Sequence, residues 1–192
     1  RRPDYVRGFG LQGAASREDW ARGRSMSGFG ASFKHALRTP GAWRMVMQAF
    51  GEVLPYRDNR VTLDSKLTDA WGMPALRFDV GRYDNELAMR RDMEASAAEL
   101  LEAVGAKDIS TYDDADIAPG NNNHEMGGAR MGADPRTSVL NEWNQCHDVP
   151  NLLVTDGACM ASSACQNPSL TYMALTARAT ARAIELMRTG AL

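Results

Sequence analysis

The sequence feature that most limits the possible fold lies near the carboxyl end, where an apolar run is followed by a loop and a long helical segment. Residues 151–155 are Asn-Leu-Leu-Val-Thr, a continuous apolar run typical of a strand buried on both faces. The run ends at Asp156 and Gly157, a pair that favours a turn. Pro168 can then open a helix with Asn167 as its N-cap. This strand–loop–helix unit predicts an α/β fold, in which ligands bind beyond the carboxyl ends of the strands.

The predicted C-terminal helix has two chemically distinct sides. Its apolar side comprises Leu170, Ala174, Ala177, Ala181 and Ile184. Its charged side carries Arg178, Arg182 and Glu185. Arg188 suits the negative end of the helix dipole, and Gly190 is expected to close the helix.

The chain before this unit contains two short alternating runs and one long helical segment. Residues 59–64 and 75–80 alternate apolar and polar side chains and are predicted to be strands. After Asp84, apolar residues recur at helical spacing up to Gly105, which is a natural stop. They are Leu87, Met93, Ala97, Leu100, Leu101 and Val104. Residues 108–123 are expected to form an acidic loop.

Charge and composition exclude several classes of protein. The 22 Lys and Arg residues nearly balance the 24 Asp and Glu residues, giving a net charge of −2, so the basic excess of a nucleic-acid-binding protein is missing. No stretch reaches the roughly 18 consecutive apolar residues of a membrane-spanning helix. The three cysteines, at 146, 159 and 165, have neither disulfide-framework nor zinc-finger spacing. We expect ordinary buried or reduced thiols, and a zinc site that also uses His147 is the alternative.

One N-terminal motif has the letters of a nucleotide-binding fingerprint in the wrong context. The first fifty residues show little periodicity, and residues 8–13 are Gly-Phe-Gly-Leu-Gln-Gly, which fits G-x-G-x-x-G. The dinucleotide fingerprint needs a buried strand before the glycines and a helix directly after them, so that the helix N-terminus meets the pyrophosphate. Residues 1–7 are not a buried strand, and no acidic residue follows about 20 positions on within a βαβ pattern. We interpret residues 8–13 as a glycine-rich loop that binds no cofactor.

Reactive side chains are concentrated in three segments of the last third of the chain. The His124 segment is residues 124–135 (His-Glu-Met-Gly-Gly-Ala-Arg-Met-Gly-Ala-Asp-Pro), the Asp156 segment is residues 151–158 (Asn-Leu-Leu-Val-Thr-Asp-Gly-Ala), and the Asn167 segment is residues 166–171 (Gln-Asn-Pro-Ser-Leu-Thr). In order and in spacing (167 − 124 = 43 residues from His to Asn) they resemble the C-terminal part of the glucose–methanol–choline (GMC) family of FAD-dependent oxidoreductases. The likeness is specific over residues 121–188 and looser over residues 50–105.

The resemblance implies a fold and a reaction class. It implies an α+β substrate-binding portion over residues 1–120, with residues 121–192 returning as the last strand and helix of a Rossmann-like FAD-binding domain. Gly128 and Ala129 stand where the family usually has Thr-Cys. That departure indicates a bacterial subgroup acting on sugars or sugar acids, rather than the glucose- or choline-oxidase subgroups. The resemblance as a whole implies a dehydrogenase rather than an oxidase.

The same resemblance assigns catalytic roles to two side chains. His124 would be the base that takes the hydroxyl proton of an alcohol while hydride passes to flavin N5. Histidine suits this task because its ordinary pKa, about 6.5, lies near neutral pH. Asn167 would hydrogen-bond the substrate oxygen, although a helix cap alone would also explain it. Arg130 is expected to anchor the His124 segment through salt bridges.

Five further residues would lie near the cofactor. Pro168 and Ser169 would direct the positive N-terminus of the last helix at the pyrimidine edge of the flavin. Asp156, Gly157 and Ala158 would approach the ribityl–pyrophosphate part of FAD, where a small residue permits close contact. A simple turn after a strand explains Asp156 and Gly157 equally well.

Two other functions stay open at this point. A GMC-fold lyase would hold FAD without a redox role, and a non-catalytic chain would stabilise a partner subunit. The expected partners of the enzyme are a small alcohol or sugar, an electron-acceptor protein, and an N-terminal FAD-binding segment or second chain, because no credible FAD-phosphate loop occurs. We therefore expect these 192 residues to be a C-terminal fragment or subunit that binds FAD poorly when alone.

Overall fold

The structure, a computed structural model, describes residues 2–113 and 124–192. Its elements in chain order are β1 (Phe9–Arg17), α1 (Gly30–Arg38), β2 (Trp43–Gly51), β3 (Arg60–Thr68), β4 (Pro74–Asp79), α2 (Asp84–Ala103) and α3 (Ser169–Thr189), with 3₁₀ turns at Trp20–Arg24 and Gly157–Cys159. β1 pairs antiparallel with β2, and β3 pairs antiparallel with β4. The mixed helix and strand content fits the expected α/β class. The expected domain boundary at residue 120 lies outside the described residues.

The middle of the chain follows its local pattern closely. The two alternating runs form the β3–β4 hairpin, whose turn is held by the Asp69 carboxylate accepting from the backbone N–H groups of Trp71 and Met73, each at 2.9 Å. The predicted helix after the hairpin is α2, and Gly105 ends it in the left-handed region with φ of +77°. Residues 108–113 have no regular structure, and the rest of the predicted acidic loop lies outside the described residues.

The interpretation of residues 8–13 as a loop was wrong, because most of them belong to β1. Their backbone pairs with β2 over a register that runs from Phe9 opposite Gly51 to Arg17 opposite Trp43. The glycines allow close packing. A Cβ on Gly10 would lie 3.4 Å from Cys165 Sγ, and a Cβ on Gly13 would lie 2.9 Å from the Val46 carbonyl oxygen.

The inner side of α2 is more polar than its pattern predicted. Met89 and Glu86 are buried, whereas Leu87, Leu100 and Val104 are exposed. Burial of Glu86 is stabilised because its carboxylate accepts from the Tyr56 hydroxyl at 3.1 Å and the Leu54 N–H at 3.1 Å. A buried carboxylate with several donors avoids the cost of unpaired burial.

The predicted strand at residues 151–155 is also wrong. Within that run only Leu153 makes a β-bridge, an isolated one to Gln145. The run lies beside a small core in which Leu140, Cys146 and Cys159 are buried, with Ala129, Met131, Val154, Met160 and Leu175 packed against them. The backbone of this region forms its hydrogen bonds within irregular turns, so this apolar run does not pair with another segment as a strand of a sheet. All three cysteines are free thiols, as expected.

Helix α3 has the predicted length, but its start and its inner side differ from the prediction. Pro168, not Asn167, is the N-cap, no side chain caps the helix, and Gly190 closes it in the left-handed region at φ of +70°. The buried or half-buried side comprises Tyr172, Leu175, Ala179, Arg182, Ala183 and Leu186. The predicted apolar side is exposed, and Leu170 and Met173 keep 78% and 68% of their areas accessible.

An apolar stripe therefore runs uncovered along the outer side of α3. It consists of Leu170, Met173, Ala174, Ala177, Ala181, Ile184 and Met187. The chain as a whole exposes 14390 Å². A compact monomer of this mass exposes about 9,000 Å². Despite the exposed apolar residues, no helix within the described residues is both long and apolar enough to span a bilayer.

Candidate active site

The His124 and Asp156 segments are joined by backbone hydrogen bonds. The Ala129 N–H donates to the Ala158 carbonyl oxygen at 2.9 Å, and the Met131 N–H donates to the Cys159 carbonyl oxygen at 2.9 Å. Gly127, with φ of +88°, turns the chain into this pairing. The two segments thus form one layer over the Leu140 core.

The Asp156 segment ends in the 3₁₀ turn Gly157–Cys159. The Asp156 carboxylate accepts from the Ala158 N–H at 2.9 Å, so Asp156 is the N-cap of the turn. Asp156 is exposed, Ala158 is half-buried and Gly157 is buried. These contacts explain Asp156 and Gly157 locally as a turn.

The His124 and Asp156 segments meet the first turn of α3 around Gly157. A Cβ on this glycine would lie 2.9 Å from Met126 Sδ, 2.9 Å from the Tyr172 hydroxyl and 3.2 Å from the Glu125 carbonyl oxygen. Tyr172 directly follows the Asn167 segment, and its hydroxyl lies 3.6 Å from Met126 Sδ. The glycine is therefore packed between the backbone beside His124 and the first turn of α3.

The first turn of α3 presents free donors. The N–H groups of Ser169, Leu170 and Thr171 bond to no acceptor within the described residues, and the turn contains no acidic residue. These three residues are exposed. Together the N–H groups carry the positive end of the helix dipole, equivalent to roughly half a charge.

His124 and Asn167 are both exposed, and neither side chain is hydrogen-bonded within residues 2–113 and 124–192. Because α3 has no side-chain cap, the capping role does not compete for Asn167. Both side chains are therefore available to an external molecule. Arg130 anchors its segment differently from the prediction, since its carbonyl oxygen accepts from the Val139 and Leu140 N–H groups at 3.1 and 3.2 Å, and its side chain makes no salt bridge in the described part of the chain.

A family model described as GMC oxidoreductase matches residues 55–176, which include the His124 and Asp156 segments and the contact at Gly157. The chain belongs to the GMC oxidoreductase family. The resemblance seen in the three segments is thereby confirmed.

Several curated GMC relatives are similar along most of the chain. It is 34% identical over 180 residues to 2-methyl-1,2-propanediol dehydrogenase of Mycolicibacterium austroafricanum, covering 91% of this chain and 32% of the relative. It is 36% identical over 162 residues to the fructose dehydrogenase large subunit of Gluconobacter japonicus, covering 81% and 28%. It is 31% identical over 155 residues to the gluconate 2-dehydrogenase flavoprotein of Pantoea cypripedii, covering 77% and 25%. The chain thus spans about a quarter to a third of the length of these relatives.

GMC oxidoreductases are generally flavoproteins, and the donors at the start of α3 fit such a group. Three N–H groups without protein acceptors, on a turn without acidic side chains, suit an electron-rich edge such as the pyrimidine ring of a flavin. Gly157 gives weaker support for a cofactor contact. The space its Cβ would need is filled by protein atoms, so packing alone requires its small size. Within the described residues no cluster of His, Cys, Asp or Glu is arranged to hold a metal ion.

Three residues to which sequence reasoning assigned no role link α3 and residues 142–144 to the segments around the candidate site. Arg178 donates to the Glu142 carbonyl oxygen and lies 5.5 Å from the Trp143 ring centroid, and Arg182 lies 5.6 Å from the same ring. Asn144 is fully buried and donates to the Val154 carbonyl oxygen at 3.0 Å. The sequence placed the two arginines, four residues apart, on the charged side of the helix, but no local signal identified Trp143 as their partner. Cation–π contact with Trp143 holds both guanidinium groups against this ring, with Arg182 half-buried and Arg178 exposed.

The pKa shifts of three groups in this region have local causes. The Arg136 guanidinium, 2.7 Å from Asp134, lowers the pKa of that carboxyl. Burial raises the pKa of the Cys159 thiol. Burial, followed by the charge of Asp156, raises the pKa of Tyr172, so its hydroxyl remains a donor toward Met126.

Proposed function

We propose that this chain is the catalytic, substrate-facing part of an FAD-dependent oxidoreductase that oxidises a CH–OH group. Two relatives are named for their action on fructose and gluconate, which favours a sugar, sugar acid or related alcohol as substrate. Several relatives are named dehydrogenases, and a dehydrogenase is the form we propose. FAD, when bound, supplies the acceptor of the hydride, at flavin N5.

The observation that carries the proposal is the meeting of the His124 and Asp156 segments with the first turn of α3 at Gly157, next to His124, an exposed histidine without a hydrogen-bond partner among the described residues. His124 takes the hydroxyl proton as the alcohol becomes a carbonyl. Asn167 hydrogen-bonds the substrate oxygen and holds the carbon in position for transfer. Pro168 and Ser169 present the start of α3 to the flavin ring, and Asp156, Gly157 and Ala158 lie toward its ribityl–pyrophosphate part.

We further propose that an FAD-binding segment or second chain covers the apolar stripe of α3. The exposed area of 14390 Å², against about 9,000 Å² for a compact monomer, supports a large covering surface. The stripe presents the outer side of the same helix whose first turn carries the free donors. Residues 1–120 then act as the substrate-binding portion, and residues 121–192 return to the FAD-binding portion. An electron-acceptor protein completes the proposed set of partners.

Substitution of the proposed base tests the function. In the flavin-containing protein, His124→Ala should slow anaerobic flavin reduction by about 10²–10⁴-fold while FAD stays bound, because general base catalysis is lost. His35→Ala is the matched control, since His35 is an exposed histidine on α1 outside the three segments. Unchanged flavin reduction in His124→Ala would refute the assignment of the base.

The same experiment separates the two alternatives. Bleaching of the flavin spectrum by substrate excludes a lyase in which FAD has no redox role. A protein that binds no flavin in any assembly would instead favour a chain that only stabilises a partner.

A further inference from the structure

Gly157 is a glycine for a reason other than its backbone conformation. Among the described glycines, those with left-handed φ include Gly127 and Gly190, and Gly157 is not one of them. It lies at the start of a 3₁₀ turn that any small residue can adopt. The missing side chain is therefore required by space and not by strain.

That space is occupied by the protein itself. Two of the three atoms nearest to a Cβ on Gly157 belong to the segment that begins with His124: Met126 Sδ at 2.9 Å and the Glu125 carbonyl oxygen at 3.2 Å. The Glu125 oxygen matters most, because it is backbone directly beside His124. A methyl group at position 157 would push on that backbone, and the backbone cannot rotate away as a side-chain end can.

Tyr172 closes the other side of the same space. Its hydroxyl would lie 2.9 Å from a Cβ on Gly157 and lies 3.6 Å from Met126 Sδ. Tyr172 stands in the first turn of α3, so this contact links the His124 segment to the helix that carries the free donors. A thioether–hydroxyl contact is modest by itself, but this one lies in a partly buried place.

We propose that Gly157 and Tyr172 are positioning residues that pack against Met126 and thereby fix the location of His124 relative to the start of α3. The inference rests on the proposed function, since it requires His124 to be the base. The proposed role of Gly157 is to pack against neighbouring protein atoms, and it is separate from any contact with the cofactor.

The primary test is Gly157→Ala in the flavin-containing protein. We expect kcat for anaerobic flavin reduction to fall by up to about 10-fold with little change in KM or FAD content, because the Glu125 carbonyl oxygen, 3.2 Å from the new Cβ, must shift by a fraction of an ångström, and a misplacement of about 1 Å costs about 100-fold. We also expect faster hydrogen exchange at the amides of Ala129 and Met131, which bond to the turn that contains Gly157.

Gly128→Ala is the matched control. It lies in the same segment, and its Cβ would meet only Ala158 Cβ at 3.7 Å, an ordinary contact. Its kcat, FAD content and amide exchange should stay within twofold of the parent protein. If Gly157→Ala has the same kcat, FAD content and amide exchange as Gly128→Ala, the positioning role of Gly157 is refuted.

Tyr172→Phe provides a second, milder variant and a rescue. Alone it removes the hydroxyl that contacts Met126 and should lower kcat about 3- to 10-fold with FAD retained. Combined with Gly157→Ala it removes one of the atoms that the new methyl group strikes, so kcat should rise above that of Gly157→Ala alone. Losses that simply multiply would overturn the inference.

The two proposals fail in different ways. If His124→Ala leaves flavin reduction unchanged while Gly157→Ala still speeds amide exchange, the packing of Gly157 against Met126 is confirmed and the base is wrongly assigned. If His124→Ala slows flavin reduction but Gly157→Ala loses FAD and keeps normal amide exchange, the glycine is needed for cofactor binding. The positioning role is then refuted.

Discussion

Replacement of Asn144 by alanine should destabilise the C-terminal part of the chain, because this one side chain joins the Asp156 segment to α3. Its amide donates to the Val154 carbonyl oxygen at 3.0 Å, and its oxygen lies 3.4 Å from the Arg178 guanidinium. The residue is fully buried and holds φ of +63°, a left-handed conformation that asparagine tolerates better than alanine.

The expected magnitude follows from two losses. The Val154 carbonyl oxygen loses its donor, which costs about 1–3 kcal/mol for a buried acceptor. Alanine in the left-handed region adds about 1 kcal/mol. Arg178 keeps the Glu142 carbonyl oxygen as a partner, so its contribution changes little. The free energy of unfolding should therefore fall by about 2–4 kcal/mol.

Denaturant unfolding of the full chain, followed by tryptophan fluorescence, measures this loss, since Trp143 is the neighbouring residue. Asn144→Gly removes the same hydrogen bonds without left-handed strain and should be less destabilising than Asn144→Ala. Asn151→Ala, at an exposed asparagine of the Asp156 segment, should change stability by no more than about 0.5 kcal/mol. The reasoning is refuted if Asn144→Ala is as stable as the parent chain, or if glycine proves more damaging than alanine.

Two further predictions concern titratable groups. Because Arg136 lowers the pKa of Asp134 in the folded chain, the carboxylate contributes stability above its unfolded pKa of about 3.9, and that contribution is lost as pH falls through the lower folded value. The difference in unfolding midpoint between the parent and Asp134→Asn should thus be present at pH 7 and shrink below about pH 4, whereas a constant difference would contradict the ion pair. Cys159 is buried and its thiol pKa is raised, so iodoacetamide should modify the half-buried Cys165 first and reach Cys159 only on unfolding. Peptide mass spectrometry checks this order, and equal labelling rates would show that Cys159 is accessible.

The elements that sequence reasoning found are those with local causes. The β3–β4 hairpin and α2 follow from alternation and helical spacing within short windows. The extent of α3 follows from Pro168 and Gly190 at its ends. Three segments with the right residues in the right order were enough to indicate the GMC family, which the family match confirms.

The errors have non-local causes. Residues 8–13 resemble a loop because they are rich in glycine, yet they lie in β1 because β2, some thirty residues later, pairs with them. The apolar run at 151–155 packs beside the Leu140 core without a partner strand, apart from one isolated bridge at Leu153. Such pairings depend on which distant backbone is available, and a local pattern does not contain that information.

The order and identity of His124, Asp156, Asn167 and Pro168 in the chain were sufficient to indicate the family and to name a candidate base. The tertiary structure decided which side of α3 turns inward, where Arg182 is half-buried and contacts the Trp143 ring together with the exposed Arg178. It also placed Gly157 between Glu125, Met126 and Tyr172. The physical reason is that residue type fixes which chemistry a side chain can perform, whereas steric fit depends on atoms brought together from distant parts of the chain.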